Sequence, residues 1–151
     1  MGRLLASMLN LTFIDLDTYL EAKYFKTVPQ IFAEEGEDEF RRKEHRVLEE
    51  VALFDDVIVA TGGGAPCFFN NMEVMNQSGY CILLDVEVDT LVGRLVHSKT
   101  ERPLIKGKSL DELKAFIESL MQKRRPFYEK ARYILKGNEI VPGDIVELVK
   151  N

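Results

Sequence analysis

Cysteine is scarce in this chain: 151 residues hold only Cys67 and Cys81. Two thiols set among apolar neighbours are too few for a disulfide framework or a cysteine-rich metal site, and they read as small core residues. Histidine is equally rare, and His45 and His97 stand in charged or loop contexts as exposed bystanders. Positive charge is not in surplus either. The 20 lysines and arginines against 25 acidic residues leave a net charge of −5, without the basic footprint that a nucleic-acid surface needs. That balance still leaves room for a few arginines around a small anion. No apolar run is long enough to span a bilayer. The opening Met1-Gly2-Arg3-Leu4-Leu5-Ala6-Ser7-Met8 is too short in its apolar part for a signal peptide, and Ala6 breaks the myristoylation pattern. Repeats and low-complexity linkers are absent. A cytoplasmic protein is expected, meeting neither membrane nor nucleic acid.

What is present is an ordinary globular composition, 46% hydrophobic and 30% charged, in a length that suits a single domain over residues 1–151. The stretch that organises the rest is Val57-Ile58-Val59-Ala60-Thr61-Gly62-Gly63-Gly64-Ala65-Pro66. Its apolar half reads as a strand buried on both faces. Its glycines, with no Cβ, let a ligand approach the backbone at the strand's carboxyl end, although a plain flexible turn has the same composition. A second strand over 12–15 ends on polar groups too, at Asp15 and Asp17.

The other elements follow from periodicity and caps. A helix over 2–10 carries Leu4, Leu5, Met8 and Leu9 on one face, and a short helix starts at Asp17. Thr27 and Gln30 form a capping box for a helix stopped near Gly36, and a longer helix over 38–54 has Phe40, Val47, Leu48, Val51 and Leu53 as its apolar side. Asn70 or Asn71 caps a helix that Gly79 ends. A strand over 80–85, a helix over 89–96 and a proline-broken mobile loop over 99–108 come next. Ser109 and Glu112 cap an amphipathic helix carrying Leu113, Phe116, Ile117 and Leu120, which ends before Pro126. A strand at 133–135 and a helical turn at 145–149 close the chain. Strands alternating with helices predict an α/β fold with a parallel, doubly wound sheet flanked by helices.

Chemistry concentrates in a few side chains. Asp15 and Asp17, two apart at a strand end, suit Mg²⁺ held through water, or one metal contact plus a base for a hydroxyl. Arg41, Arg102 and Arg124 stand at the mouths of segments feeding one sheet edge, and arginine's planar fork matches a carboxylate or a phosphate.

Phe13-Ile14-Asp15-Leu16-Asp17, Glu39-Phe40-Arg41-Arg42-Lys43-Glu44, Ala60-Thr61-Gly62-Gly63-Gly64-Ala65, Arg102-Pro103-Leu104 and Lys123-Arg124-Arg125-Pro126-Phe127-Tyr128 occur in this order. Together they resemble shikimate kinase, a P-loop, nucleoside-monophosphate-kinase-like phosphotransferase of the chorismate pathway of aromatic amino-acid biosynthesis. The resemblance implies transfer of the ATP γ-phosphoryl to the 3-hydroxyl of shikimate, with Mg²⁺, by a monomer. Asp17 would hold the shikimate hydroxyls and orient or deprotonate the attacking one. Arg41 and Arg124 would grip the carboxylate, and Gly62, Gly63 and Gly64 would line the acceptor, Gly63 through its backbone. Asp15 would help hold Mg²⁺, and Arg102, in a lid over about 98–109, would close on ATP.

The family's first strand and its Gly-x-x-x-x-Gly-Lys-Ser/Thr loop have no counterpart in these residues, since the triple glycine runs into Ala65-Pro66 instead. An N-terminally truncated domain is therefore expected, lacking its first central strand. Such a domain would leave backbone groups of two apolar strands unpaired and transfer phosphate poorly or not at all. The alternatives are a non-catalytic shikimate-binding module and a related small-molecule kinase such as gluconate kinase.

Overall fold

The two apolar runs that flank the first polar strand end pair with each other. Thr12–Asp15 (β1) and Val57–Ala60 (β2) lie parallel, in register from Thr12↔Val57 to Asp15↔Ala60. Because Asp15 faces Ala60, the chain leaves both strands at one edge, with Asp17 just beyond the first and the glycines just beyond the second. The structure, a computed structural model, describes residues 1–97 and 107–151. They fall into two compact units, Met1–Cys81 with Val141–Asn151, and Ile82–Ile140.

In the first unit the helices are Gly2–Leu9 (α1), Leu16–Tyr24 (α2), Val28–Glu35 (α3), Glu37–Val51 (α4), Asn71–Ser78 (α5) and, beyond the second unit, Pro142–Lys150 (α8). The second unit holds Ile82–Asp85 (β3), Val88–Val96 (α6), Leu110–Tyr128 (α7) and Tyr133–Lys136 (β4). Here β3 and β4 are again parallel, from Ile82↔Tyr133 to Asp85↔Lys136. The α/β class with parallel strands and flanking helices holds. The strand ladder differs from a single sheet: among the described residues it forms two sheets of two strands each, β1 with β2 and β3 with β4.

The capping box of α3 is as expected, with the Thr27 N–H bonded to Gln30 at 2.8 Å and the Gln30 N–H to the Thr27 hydroxyl at 3.2 Å. Its helix and α2 pack on α4 around Leu16, Leu20, Ile31, Phe40, Val47, Leu48, Val51 and Ala65. Burial of these side chains, at roughly 1.5–3 kcal/mol each, is what holds α4 in place. A polar staple adds direction: the Tyr19 hydroxyl donates to Glu50 at 2.5 Å, and Lys23 pairs with the same carboxylate.

Some expectations need correction. Leu53 is exposed, because α4 ends at Val51 and the residue leaves the helix's apolar stripe. On α1 the buried stripe is Leu5 and Ala6, while Leu4 and Met8 stand in solvent. Pro126 lies inside α7, not after it. A proline so near the end removes one helical bond, and the Glu129 N–H to Arg125 carbonyl bond at 2.9 Å closes the turn around it. Cys67 and Cys81 are half-buried, with the Cys81 thiol 3.6 Å from the Met72 sulfur. No described helix is long and apolar enough to cross a membrane.

Candidate active site

Each candidate side chain of the first unit is placed by a local rule. Asp15 ends β1 and caps α2, its carboxylate accepting the Thr18 N–H at 3.0 Å. Since α2 begins at Leu16, Asp15 and Asp17 do not share a strand face. Asp17 sits in the first turn of α2, where the helix dipole favours an anion, and it approaches the turn that follows β2. A Cβ built on Gly62 would lie 3.8 and 3.9 Å from the Asp17 carboxylate oxygens and 3.9 Å from Glu44 Oε2. Two carboxylates from two helices thus border one glycine.

Arg41 is 6% exposed on α4. Its Nη1 donates to Glu44 at 3.0 Å and its Nη2 to Glu37 at 3.4 Å, the i,i+3 and i,i+4 spacings that face each other on a helix. The guanidinium lies over the Phe68 ring, 4.3 Å from its centroid. On another side it meets Gly64, where a Cβ would come within 2.5 Å of Nη2. Gly64 has φ −84° and ψ −22°, which any residue adopts, so glycine is required here by the close approach and not by the backbone angle. Among the described residues the buried Arg41 Nε has no hydrogen-bond partner. Removing such a charge from water is tolerated only when it is paired, and Glu44, 1% exposed, supplies the pairing.

Next to this pair Lys43 is also buried. It donates to Glu35 at 2.9 Å and Glu39 at 3.4 Å and lies over the Tyr24 ring. The Lys43 bond holds the Glu35 carboxyl below its ordinary value, and Glu35 in turn raises the Lys43 ammonium. Glu39 is lowered first by Arg42 and then by Lys43. These bonds clamp α3 to the segment of α4 that carries Arg41.

Asp15, Asp17, Arg41, Gly62, Gly63 and Gly64 therefore belong to one unit and one strand edge. Arg124 lies on α7 in the second unit, half-buried. Arg102 and most of the expected lid fall at 98–106, outside the described residues. Among the described residues no group of three or more His, Cys, Asp or Glu side chains is arranged to hold a metal. A single carboxylate such as Asp15 fits an ion that keeps most of its ligands from water and phosphate.

Sequence reasoning passed over Glu44 and Phe68. The Arg41–Glu44 spacing was a usable signal for the first, whereas nothing in the sequence marks Phe68. His45 is not the exposed bystander expected: it is half-buried, with Nε2 at 2.5 Å from Glu49 and Nδ1 at 2.6 Å from Asn71. Of the two candidate caps, Asn70 takes the N-cap position of α5 without a side-chain cap bond, while the Asn71 side chain turns back to the Ala65 carbonyl.

A set of acidic groups, a glycine backbone and a pre-held guanidinium suits a small ligand bearing hydroxyls and a carboxylate. The profile of the shikimate kinase family matches residues 1–150. A shikimate kinase of Parabacteroides distasonis is 49% identical over 150 residues, which is 99% of this chain and 87% of that protein. One from Phocaeicola vulgatus is 50% identical over 140 residues, 93% of this chain and 80% of the other. Among solved structures, shikimate kinase from Bacteroides thetaiotaomicron superposes with a TM-score of 0.93 at 43% identity, covering 99% of this chain and 89% of that one. Shikimate kinase from Acinetobacter baumannii in complex with shikimate gives 0.86 at 32% identity, covering 99% and 82%.

Proposed function

The chain belongs to the shikimate kinase family, a family of phosphotransferases, and from that premise we propose that its acceptor is shikimate, phosphorylated on the 3-hydroxyl by the γ-phosphoryl group of ATP. The observation that carries the proposal is the convergence of Asp17, Glu44 and Arg41 on the glycines at 62–64. Gly62, with no Cβ, leaves the ring of the acceptor room beside the Asp17 and Glu44 carboxylates. Asp17 accepts hydrogen bonds from the ring hydroxyls and takes the proton of the attacking one. That oxygen bonds to the γ-phosphorus while the bond to the bridging oxygen breaks and ADP leaves.

Arg41, fixed by Glu44, Phe68 and Gly64 before any ligand arrives, meets the shikimate carboxylate without ordering cost. Gly63 contributes backbone contact, Arg124 a second cation for the carboxylate, and Arg102 a positive charge near the moving phosphoryl. Phosphoryl transfer relies on positioning and charge neutralisation, which these groups supply. Bound Mg²⁺ would neutralise the nucleotide phosphates, with Asp15 holding it through water. The same reading takes the protein as a monomer in the cytoplasm.

Titration calorimetry with shikimate, followed by ATP, tests the reading. Saturable shikimate binding that Asp17→Asn weakens is expected. Binding of gluconate in preference to shikimate would overturn the assignment of the acceptor.

A further inference from the structure

Asn71 has no solvent exposure, and both ends of its amide are engaged outside its own helix. Its Nδ2 donates to the Ala65 carbonyl at 2.8 Å, which leaves Oδ1 as the acceptor facing His45 Nδ1 at 2.6 Å. In this contact the hydrogen sits on Nδ1 of the imidazole. The ring is held in turn by Glu49, 2.5 Å from Nε2, and by Phe69, 5.0 Å away between centroids. One side chain therefore joins three segments: α4 through His45, the turn after the glycines through Ala65, and α5, where it resides. Ala65 directly follows Gly64, against which the Arg41 guanidinium lies, and α4 is the helix that carries Arg41 and Glu44.

The turn's own backbone bonds include Ala65 N–H to the Gly62 carbonyl at 3.2 Å and Cys67 N–H to the Gly64 carbonyl at 3.0 Å. An apolar side chain of similar size would take from the Ala65 carbonyl and from His45 Nδ1 the partner that Asn71 gives each, so the amide adds both pairing and direction.

The geometry points to Asn71 as a positioning residue of the acceptor site. Through the Ala65 carbonyl it fixes the turn of residues 62–65 against α4, and His45 fixes Asn71. The role rests on shikimate being the ligand of that turn.

Shikimate affinity by calorimetry, with the thermal midpoint of the same samples, tests it in Asn71→Asp, His45→Leu and His45→Asn. Asn71→Asp keeps an acceptor for His45 but loses the donor to Ala65, and the dissociation constant is expected to rise roughly tenfold. His45→Leu is expected to weaken binding similarly. His45→Asn places an amide N–H where Nδ1 stood and is expected to restore affinity to within about twofold of the unchanged protein. Unchanged affinity in Asn71→Asp, or no difference between His45→Asn and His45→Leu, overturns the role, whatever the midpoints do. If Asn71→Asp does not fold, the His45 pair decides. Should the unchanged protein bind no shikimate, the functional reading fails by itself. Amide exchange at Gly63, Gly64 and Ala65 then decides the positioning role: faster exchange in His45→Leu than in His45→Asn supports it, and equal exchange overturns it.

Discussion

The two units handle charge in opposite ways. The first takes Arg41, Lys43, Glu44 and Asn71 out of solvent and gives each a partner. Among the described residues the second buries no polar side chain, and its buried apolar residues are only Val86, Leu113, Ile117 and Ala131. Its ion pairs stand in the open, Lys114 with Asp89 at 3.0 Å and Arg125 with Glu129 at 4.0 Å. A buried charge is tolerated only in a fixed geometry, so the first unit's electrostatics are built into its shape. Exposed charges cost little to keep and little to lose. The expected consequence is that Arg41 is a structural and a ligand-binding residue at once, whereas Arg124 serves the ligand alone.

The largest effect should come from Arg41→Ala. It takes from Glu44, 1% exposed, the guanidinium at 3.0 Å that pairs with it, and is expected to cost about 3–5 kcal/mol in urea unfolding while abolishing shikimate binding. Replacing the pair together, Arg41→Leu with Glu44→Leu, should recover most of that stability and none of the binding. If the double variant is as unstable as the single one, pairing is not what the burial demands. Gly64→Ala comes next. Its new Cβ collides with a guanidinium that is flexible in principle but confined by Phe68 and Glu44. A stability loss of about 1–3 kcal/mol is expected, with a fall in shikimate affinity as Arg41 shifts. Full affinity in Gly64→Ala would show that the contact does not set the arginine's pose.

Arg124→Ala sharpens the comparison from the other side. Losing a hydrogen bond to a charged ligand group is worth about 1.5–3 kcal/mol, so affinity should fall by roughly ten- to a hundredfold. The unfolding midpoint should not move, since no described residue pairs with Arg124. An unfolding loss comparable to that of Arg41→Ala would erase the distinction between the units.

What the sequence disclosed divides along the same line. Strands β1 and β2, the Thr27 capping box and the α4 core stripe follow from periods and caps, which are local. Asp17, Arg41 and the glycines could be singled out because their motifs occur together in the order of a known family, whereas alone each reads as readily as a turn or a solvated charge. Glu44 looked like one more charge on a helix, because its surroundings are set by distant chain, the turn after β2, where a Cβ on Gly62 would lie 3.9 Å from its carboxylate. Asn70 and Asn71 looked like equal candidates for a helix cap, because the acceptor that captures Asn71, the Ala65 carbonyl, is a backbone group that no sequence pattern marks. The pairing of β3 with β4 is equally non-local, since about fifty residues separate the partners.

The smallest predicted effect separates the units by pH. Glu35 and Glu39 are held below the ordinary glutamate value of about 4.3, so what they add to stability is present above that pH and lost as the pH falls through their lowered values. Lys43, raised by Glu35, adds stability below the ordinary lysine value of about 10.4, lost as the pH rises through its own. The unchanged protein should therefore lose unfolding midpoint between pH 5 and pH 3, the acid side of neutral where the carboxylates gain protons. Lys43→Met should start lower at neutral pH and fall less over that interval, because among the described residues Glu35 keeps Lys26 alone as an ion-pair partner, at 3.5 Å. Lys114 in the second unit is likewise raised, by Asp89, but both side chains are about half or more exposed and solvent screens the pair. Lys114→Met should leave the acid limb and the neutral midpoint unchanged. Parallel acid limbs for Lys43→Met and the unchanged protein would mean that the buried lysine does no more for its carboxylates than the exposed one does, and the contrast between the units would then rest on apolar packing alone.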